Sequence, residues 1–247
     1  MKNSLVAVAS LFLIGSLNAQ FAGQPATYTP GIGAQTEGLY NNAMGSIADK
    51  LDKLNYEDST IEGSPYVSNT FMPGQLFYGD EMVGNIYYRY NAYNEEIEIK
   101  QVNSENAPIR GLSKDKKIRL VANGKSMSFK TFIDKNGNTK NGYMTLLAKG
   151  DYKLYKHLKV TFREAKKAEN SFVKSTPAKF SQSSEYYLEG PDGKRIDQIE
   201  LNNKKIVQLV NGEKSSGLKS FIKENKLKVK DENGLFTIVS YLNGAGS

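Results

Sequence analysis

His157 is the only histidine of the chain, and there is no cysteine. Disulfides and thiol nucleophiles are thereby excluded, and a His-based zinc site, a Cys–His pair or a Ser-His-Asp triad has little to be built from. Alternation along the strand that carries it places His157 beside Lys153, Tyr155, Lys159 and Thr161 on a polar face, where an ordinary surface histidine is expected. Glu96 and Glu98 fall on one side of another strand, about 7 Å apart by strand geometry. Such a pair could hydrolyse a glycoside if one carboxyl were buried and held protonated. Ile97 and Ile99 take the core side, so both glutamates are expected to be solvated. Asp134-Lys135-Asn136-Gly137-Asn138 has oxygen ligands at alternate positions, as a calcium loop does. Thr139 stands where that loop needs Gly and Thr145 where a bidentate Glu should close it, so a hairpin turn is favoured. Ser113-Lys114-Asp115-Lys116 and Ser220-Phe221-Ile222-Lys223 match S-x-x-K without its companion motifs. No nucleophile elbow, phosphate loop or dinucleotide fingerprint is present. No cofactor is expected, and the reading is of a protein that is not an enzyme.

Recognition has better candidates. In Tyr87-Tyr88-Arg89-Tyr90-Asn91-Ala92-Tyr93, alternation puts Tyr87, Arg89 and Tyr93 on one face and Tyr88 and Tyr90 on the other. One face is core. The other offers amphipathic rings and an arginine, residue types enriched at binding hot spots and able to stack on sugars. Cross-strand aromatic pairs that only stabilise the sheet are the competing reading. Lys153, Tyr155 and Lys159 supply a second candidate surface, wet and basic, opposite a core face of Tyr152, Leu154, Leu158, Val160 and Phe162.

The elements needed to position these residues follow from periodicity. Residues 1–19 read as a secretory signal peptide: a charged start at Lys2, an apolar run from Leu5 to Leu17 and a small-residue exit at Ala19. The run is short for a transmembrane anchor, and no later run approaches spanning length, so the chain is not expected to cross a membrane. Absence of Cys after the small residues removes a bacterial lipid anchor. Residues 20–37, rich in Gly, Pro, Thr and Gln, read as a flexible mature N-terminus. Over 38–58, Leu39, Ala43, Ile47, Leu51 and Leu54 recur at helical spacing and predict an amphipathic helix, weakened by Gly45. Residues 59–201 switch to a period of two, with hairpin turns at Asn94-Glu95, Asn123-Gly124, Asp134–Asn138 and Gly190-Pro191-Asp192-Gly193. About eight or nine antiparallel strands are expected, as a meander curled into a sandwich or open barrel. Residues 202–247 read as short helices, with stops at Asn211-Gly212 and Asn243-Gly244. The fold class is therefore mainly β, with an N-terminal helix and a small C-terminal helical appendage.

Charge is segregated. Gln20 to Arg110 carries 5 basic and 12 acidic side chains, a net of −7; Gly111 to Ser175 carries 16 and 5, a net of +11. Either the blocks complement each other within the molecule, or the basic block meets an anionic partner: an acidic protein face, an acidic glycan or lipopolysaccharide. Nucleic acid is not expected as a partner of an exported chain without a recognition motif. Export without cysteine suits a Gram-negative envelope, in the periplasm or on the periplasmic face of the outer membrane.

Gly63-Ser64-Pro65-Tyr66, Phe71 with Gly74, and Tyr88-Arg89-Tyr90-Asn91-Ala92-Tyr93-Asn94-Glu95-Glu96-Ile97-Glu98 form a distinctive pattern, continued by Phe221–Leu227-Lys228 and Tyr241-Leu242-Asn243. Over roughly residues 60 to 243 the chain resembles a family of exported Bacteroidota envelope proteins to which no catalytic residue is assigned. The resemblance implies an interaction protein of an outer-membrane complex. In its most specific form that role is the plug of the type 9 secretion translocon, closing the periplasmic mouth of a very large barrel. The alternative is a soluble glycan- or lipopolysaccharide-binding protein using Tyr87, Arg89 and Tyr93.

Overall fold

A computed structural model describes residues 31–47, 61–168, 174–210 and 212–244. The predicted signal peptide lies outside the described residues, as do residues 48–58 of the predicted amphipathic helix.

The described chain is mainly antiparallel β. Its strands are β1 (Gly31–Ile32), β2 (Met44–Gly45), β3 (Met72–Tyr78), β4 (Glu81–Asn91), β5 (Glu96–Lys100), β6 (Arg110–Leu112), β7 (Ile118–Ala122), β8 (Lys125–Ile133), β9 (Thr139–Ala148), β10 (Lys153–Arg163), β11 (Lys179–Glu189) and β12 (Ile196–Ile199). Twelve strands replace the eight or nine expected, the excess lying in two- and three-residue pieces, β1, β2 and β6, too short to show periodicity. They form one sheet in the order β12-β11-β10-β9-β8-β7-β3-β4-β5-β6-β2, with β1 added to β4. Turn chemistry sets much of the register. Asn123 and Gly124 take φ of 50° and 72°, the left-handed pair a two-residue hairpin needs, and β7 and β8 pair directly across it.

β12 also pairs in parallel with β8, through Asp197 and Ile133, so β8 to β12 close into a five-stranded ring. Lys135 N–H donates to Gln198 Oε1 at 2.8 Å beside that bridge. Closure gives these strands two apolar faces. The inner face holds Phe132, Met144, Tyr155, Tyr187 and Ile196. The outer face packs in two places. Tyr143, Leu158, Val160, Phe162 and Phe180 join Leu76, Ile86, Tyr88, Tyr90, Ile97, Ile99 and Leu120 in the main core. Tyr152, Leu154, Leu188 and Ile199 pack under the C-terminal helices α2 (Asn203–Leu209), α3 (Glu213–Glu224) and α4 (Glu232–Leu242), which were read closely from the sequence. Asn202 and Asp231 cap α2 and α4, accepting from Lys204 N–H and Gly234 N–H. The Asn243 side chain then bonds Tyr152 N–H and the carbonyls of Lys149 and Tyr152, fastening the helical unit to the β9–β10 turn.

Over its described residues the N-terminal segment departs in detail from two expectations. Within 20–37, the described part is not loose: β1 pairs with Asn85 and Gly84 of β4, and Thr36 Oγ1 donates to the Val83 carbonyl at 2.7 Å. Among the described residues, the helix expected over 38–58 is present as α1 (Glu37–Ala43), after which Met44-Gly45 turns into strand against β6. The reason is steric and local. A Cβ at position 45 would stand 2.8 Å from Ser113 Cα, and Ser113 N–H donates to the Ala43 carbonyl, so the backbone here is taken by β6 and its following residue.

Candidate functional site

β10 turns Tyr155 and His157 into the ring, which overturns the polar-face reading for these two, while Lys159 and Thr161 of the same face are exposed as that reading expects. Tyr155 is 4% exposed and His157 is 5% exposed. The other side of a strand is wet only when the sheet is one layer with one core; a closed ring buries both sides. His157 is accordingly not a surface residue. Its Nε2 lies 2.6 Å from Glu95 Oε1 and its Nδ1 3.4 Å from Glu185 Oε2. Glu185 faces it from β11 in register. Glu95 comes from the β4–β5 turn, takes a φ of 56° and lines the mouth of the ring. Tyr90 Oη–H and Tyr143 N–H also donate to Glu95 Oε2, at 2.6 and 3.2 Å. Tyr187 Oη–H donates to Glu185 Oε2 at 3.0 Å, and Lys159 Nζ lies 3.5 Å from Glu185 Oε1.

Burial alone would lower the pKa of the imidazolium, but bonds to Glu185 and Glu95 and their charges outweigh it, raising it from 6.5 to about 9. The bond from His157, which outweighs the cost of burial, and that from Tyr187 hold Glu185 down at about 2. Burial, then the adjacent Glu185 charge, pushes the Tyr187 phenol well above its ordinary value. At neutral pH the cluster is therefore an imidazolium donating from both nitrogens to two carboxylates. A general base needs a free nitrogen lone pair, and His157 has none. Among the described residues no group of His, Cys, Asp or Glu is arranged to hold a metal ion.

Above the cluster a cleft of about 340 Å³ opens at the mouth of the ring. Tyr93, Phe132 and Tyr187 form part of its wall, and Asp134, Lys135, Asn136, Lys140, Asn141, Lys159 and Gln198 its polar lining.

The second cluster contains Arg89. Glu96 and Glu98, expected to be solvated, are each 4% exposed. The segment Gly63–Phe71 lies over that side of β5. Tyr66 Oη–H donates to Glu98 Oε1 at 3.0 Å, while Arg89 Nε donates to Glu98 Oε2 at 2.7 Å. The Arg89 guanidinium stacks 4.1 Å from the Tyr66 ring centroid and 4.7 Å from that of Phe71. Burial and the Glu98 charge push the Tyr66 phenol up to about 12. Both oxygens of Glu98 are thus committed inside the protein, and a glycosidase geometry finds no support.

The six recognition candidates are spread over five settings. Tyr87 is half-buried on β4, across from Lys100. Arg89 is bound up with Glu98. Tyr93 packs edge-on against Phe162 and Phe180. Tyr88 and Tyr90 take the core side. Lys153 pairs with Glu189, which also accepts from the buried Tyr155 Oη–H at 2.8 Å, and Lys159 pairs with Glu185. Lys156 pairs with Glu232 of α4. Lys153, Lys156 and Lys159 are thus paired within the molecule, but with glutamates of residues 176–247 rather than with the acidic block of residues 20–110 that the complementarity reading invokes. Asp134 accepts from the backbone of Asn136 and Asn138 and from the Asn138 amide, the geometry of a self-capped turn.

Glu185 and Lys140 have no place in the sequence reading, and Glu95 and Lys135 enter it only within turn and pattern segments. Glu185 had a partial signal, as it alternates with Tyr187 like His157 with Tyr155, but the long β10–β11 connection hides the register. Compared with protein-family models, curated proteins and solved structures, the chain finds no match in any of the three.

Proposed function

We propose that this chain is a non-catalytic interaction protein of a Gram-negative envelope, exported to the periplasm and bound there to an outer-membrane protein complex. The observation that supports this most is the fate of its reactive side chains. His157 spends both nitrogens on Glu95 and Glu185, and Glu98 spends both oxygens on Arg89 and Tyr66. Groups that could transfer protons serve instead to brace a closed β-fold. Tyr66, Arg89, Tyr90, Glu95 and Glu98, which belong to the pattern that carries the family resemblance, take part in this brace together with His157 and Glu185. In its specific form the protein is the plug of a type 9 translocon, a role for which a rigid, internally saturated domain is suited.

The test is a pull-down of the tagged full chain from its native envelope in mild detergent, with mass spectrometry of the co-purifying proteins. Stoichiometric recovery of a very large outer-membrane barrel supports the plug. Recovery of the chain alone from the soluble periplasmic fraction overturns it and leaves a free binding protein.

A further inference from the structure

We infer that the cleft at the mouth of the five-stranded ring is a binding site for a small oxyanion-bearing ligand, a phosphate or carboxylate group carried by a sugar-sized body. The inference stands whether or not the chain plugs a channel. It rests on which hydrogen-bonding groups of the cleft are already engaged. All three carboxylates of the lining are spoken for: Glu95 by His157, Tyr90 and Tyr143, Glu185 by His157, Tyr187 and Lys159, and Asp134 by its own turn. Two amide side chains are engaged through their oxygens. Asn141 Oδ1 accepts from Thr131 Oγ1–H at 2.7 Å, and Gln198 Oε1 accepts from Lys135 N–H at 2.8 Å. Each therefore offers its NH₂ as the remaining polar group.

Lys135, Lys140 and Lys159 add ammonium donors around the same opening. Lys140 stands opposite Phe132 in register, which puts it on the inner face, and Lys159 shares the β10 face of His157. Of the four cations at the cleft, His157 and Lys159 are held by Glu95 and Glu185, which leaves the ammonium groups of Lys135 and Lys140 at the opening for a ligand. A ligand that donates would meet few open acceptors. A ligand that accepts would meet ammonium and amide donors converging on a concave space, with the Tyr93 ring to cover an apolar body. The volume, about 340 Å³, admits a monosaccharide phosphate or sugar acid and excludes a folded partner.

An oxyanion of this kind could reach the cleft as a free solute or as the headgroup of a lipid, and the experiment separates the two. The full chain, isotopically labelled, is titrated with sodium phosphate against sodium chloride at matched ionic strength, following backbone amides by NMR. A parallel arm measures cosedimentation with phosphatidylcholine vesicles containing or lacking phosphatidylglycerol. The expected result is saturable movement of the Lys135, Asn136, Lys140 and Asn141 amides with phosphate only, weakened at least tenfold by Lys135→Ala with Lys140→Ala. Both lysines are exposed, so the double variant should keep its melting temperature. Cosedimentation with the anionic vesicles alone, lost in the double variant, supports the site with a lipid-borne source. Shifts that follow ionic strength equally in both salts with no vesicle binding overturn the proposal, as does binding by the double variant that equals the parent.

Discussion

His157 Nε2 and Glu95 Oε1, 62 residues apart in the chain, meet at 2.6 Å and join the β4–β5 turn to the inner face of the ring. The turn belongs to the part of the sheet that covers the ring, so this contact adds a polar tie between the two layers beside the aromatic contacts of Tyr90 with Tyr143 and of Tyr93 with Phe162. Replacing His157 by Gln leaves Glu95 and Glu185 facing each other without the intervening cation. The expected cost is about 3–5 kcal/mol, the range for breaking a buried ion pair on one side. Urea denaturation should show a lower midpoint with an unchanged slope. In a double-mutant cycle with Glu95→Gln, coupling of at least about 1 kcal/mol is expected; strictly additive effects would deny the pair its role.

Stability should depend on pH through the same cluster. His157 has a folded pKa raised from 6.5 to about 9, so its contribution is complete below 6.5 and is lost as pH rises through 9. That shift corresponds to roughly 3 kcal/mol at 1.36 kcal/mol per unit. Glu185 has a folded pKa lowered from 4.5 to about 2, so its contribution is present above 4.5 and is lost as pH falls through 2. The groups around the imidazole are Glu95, Glu185, Lys159, Tyr90, Tyr143, Tyr187, Asp134 and Lys140. Thermal melts from pH 4 to 10 should decline on the alkaline side, and His157→Gln should flatten that decline between 6.5 and 9.

These two residues also mark where the sequence stopped being informative. The even face of β10 was legible as core because its apolar residues share one parity. The odd face was read as wet because its residues are polar, yet paired polar groups can be buried as fully as apolar ones. β5 repeats the lesson: Glu-Ile-Glu-Ile-Lys alternates, but all five residues are buried because a segment some thirty residues earlier lies over the glutamate side. Ring closure and that overlay are long-range facts with no periodic trace. Local chemistry, by contrast, was readable: Asn123-Gly124, Asp134–Asn138 and the three C-terminal helices stand where turn and cap residues put them.

The Arg89 cluster predicts a graded series. Tyr66→Phe removes one bond to a buried carboxylate and should cost about 1–3 kcal/mol. Arg89→Ala removes the charge partner of Glu98 together with its stacking on Tyr66 and Phe71, and should cost about 3–5 kcal/mol. Paired melts of the two variants check the order. A reversed order would mean that the guanidinium is not what holds Glu98. Binding lost on triple substitution of Tyr87, Arg89 and Tyr93 should therefore be compared with the melting temperature of the same variant.

Gly63 is required twice over. Its φ is +80°, and an added Cβ would fall against the Phe180 carbonyl oxygen. Gly137 has a similar φ of +83° with open space around it. Gly137→Ala should cost only the conformational term, about 1 kcal/mol, whereas Gly63→Ala should cost more and loosen the segment over Glu98. Hydrogen exchange at Val67 and Ala92, whose N–H groups bond across that segment, gives the direct readout. Equal melting temperatures for the two variants would remove the steric argument.

The single bridge from Ile133 to Asp197 that seals the ring has a kinetic meaning. Every other pairing within β8 to β12 joins strands adjacent in the chain, and such hairpins form on the microsecond scale without waiting for distant sequence. The seal, with the Lys135–Gln198 bond 63 residues apart, must await the arrival of β12. Its loop-closure entropy falls late, after most of the surrounding structure exists. A chain delivered from its N-terminus would hold an open, curved ribbon until its last strand emerged. Weakening the seal with Gln198→Ala should then leave the early refolding phases unchanged and speed unfolding, the signature of a contact absent from the rate-limiting transition state.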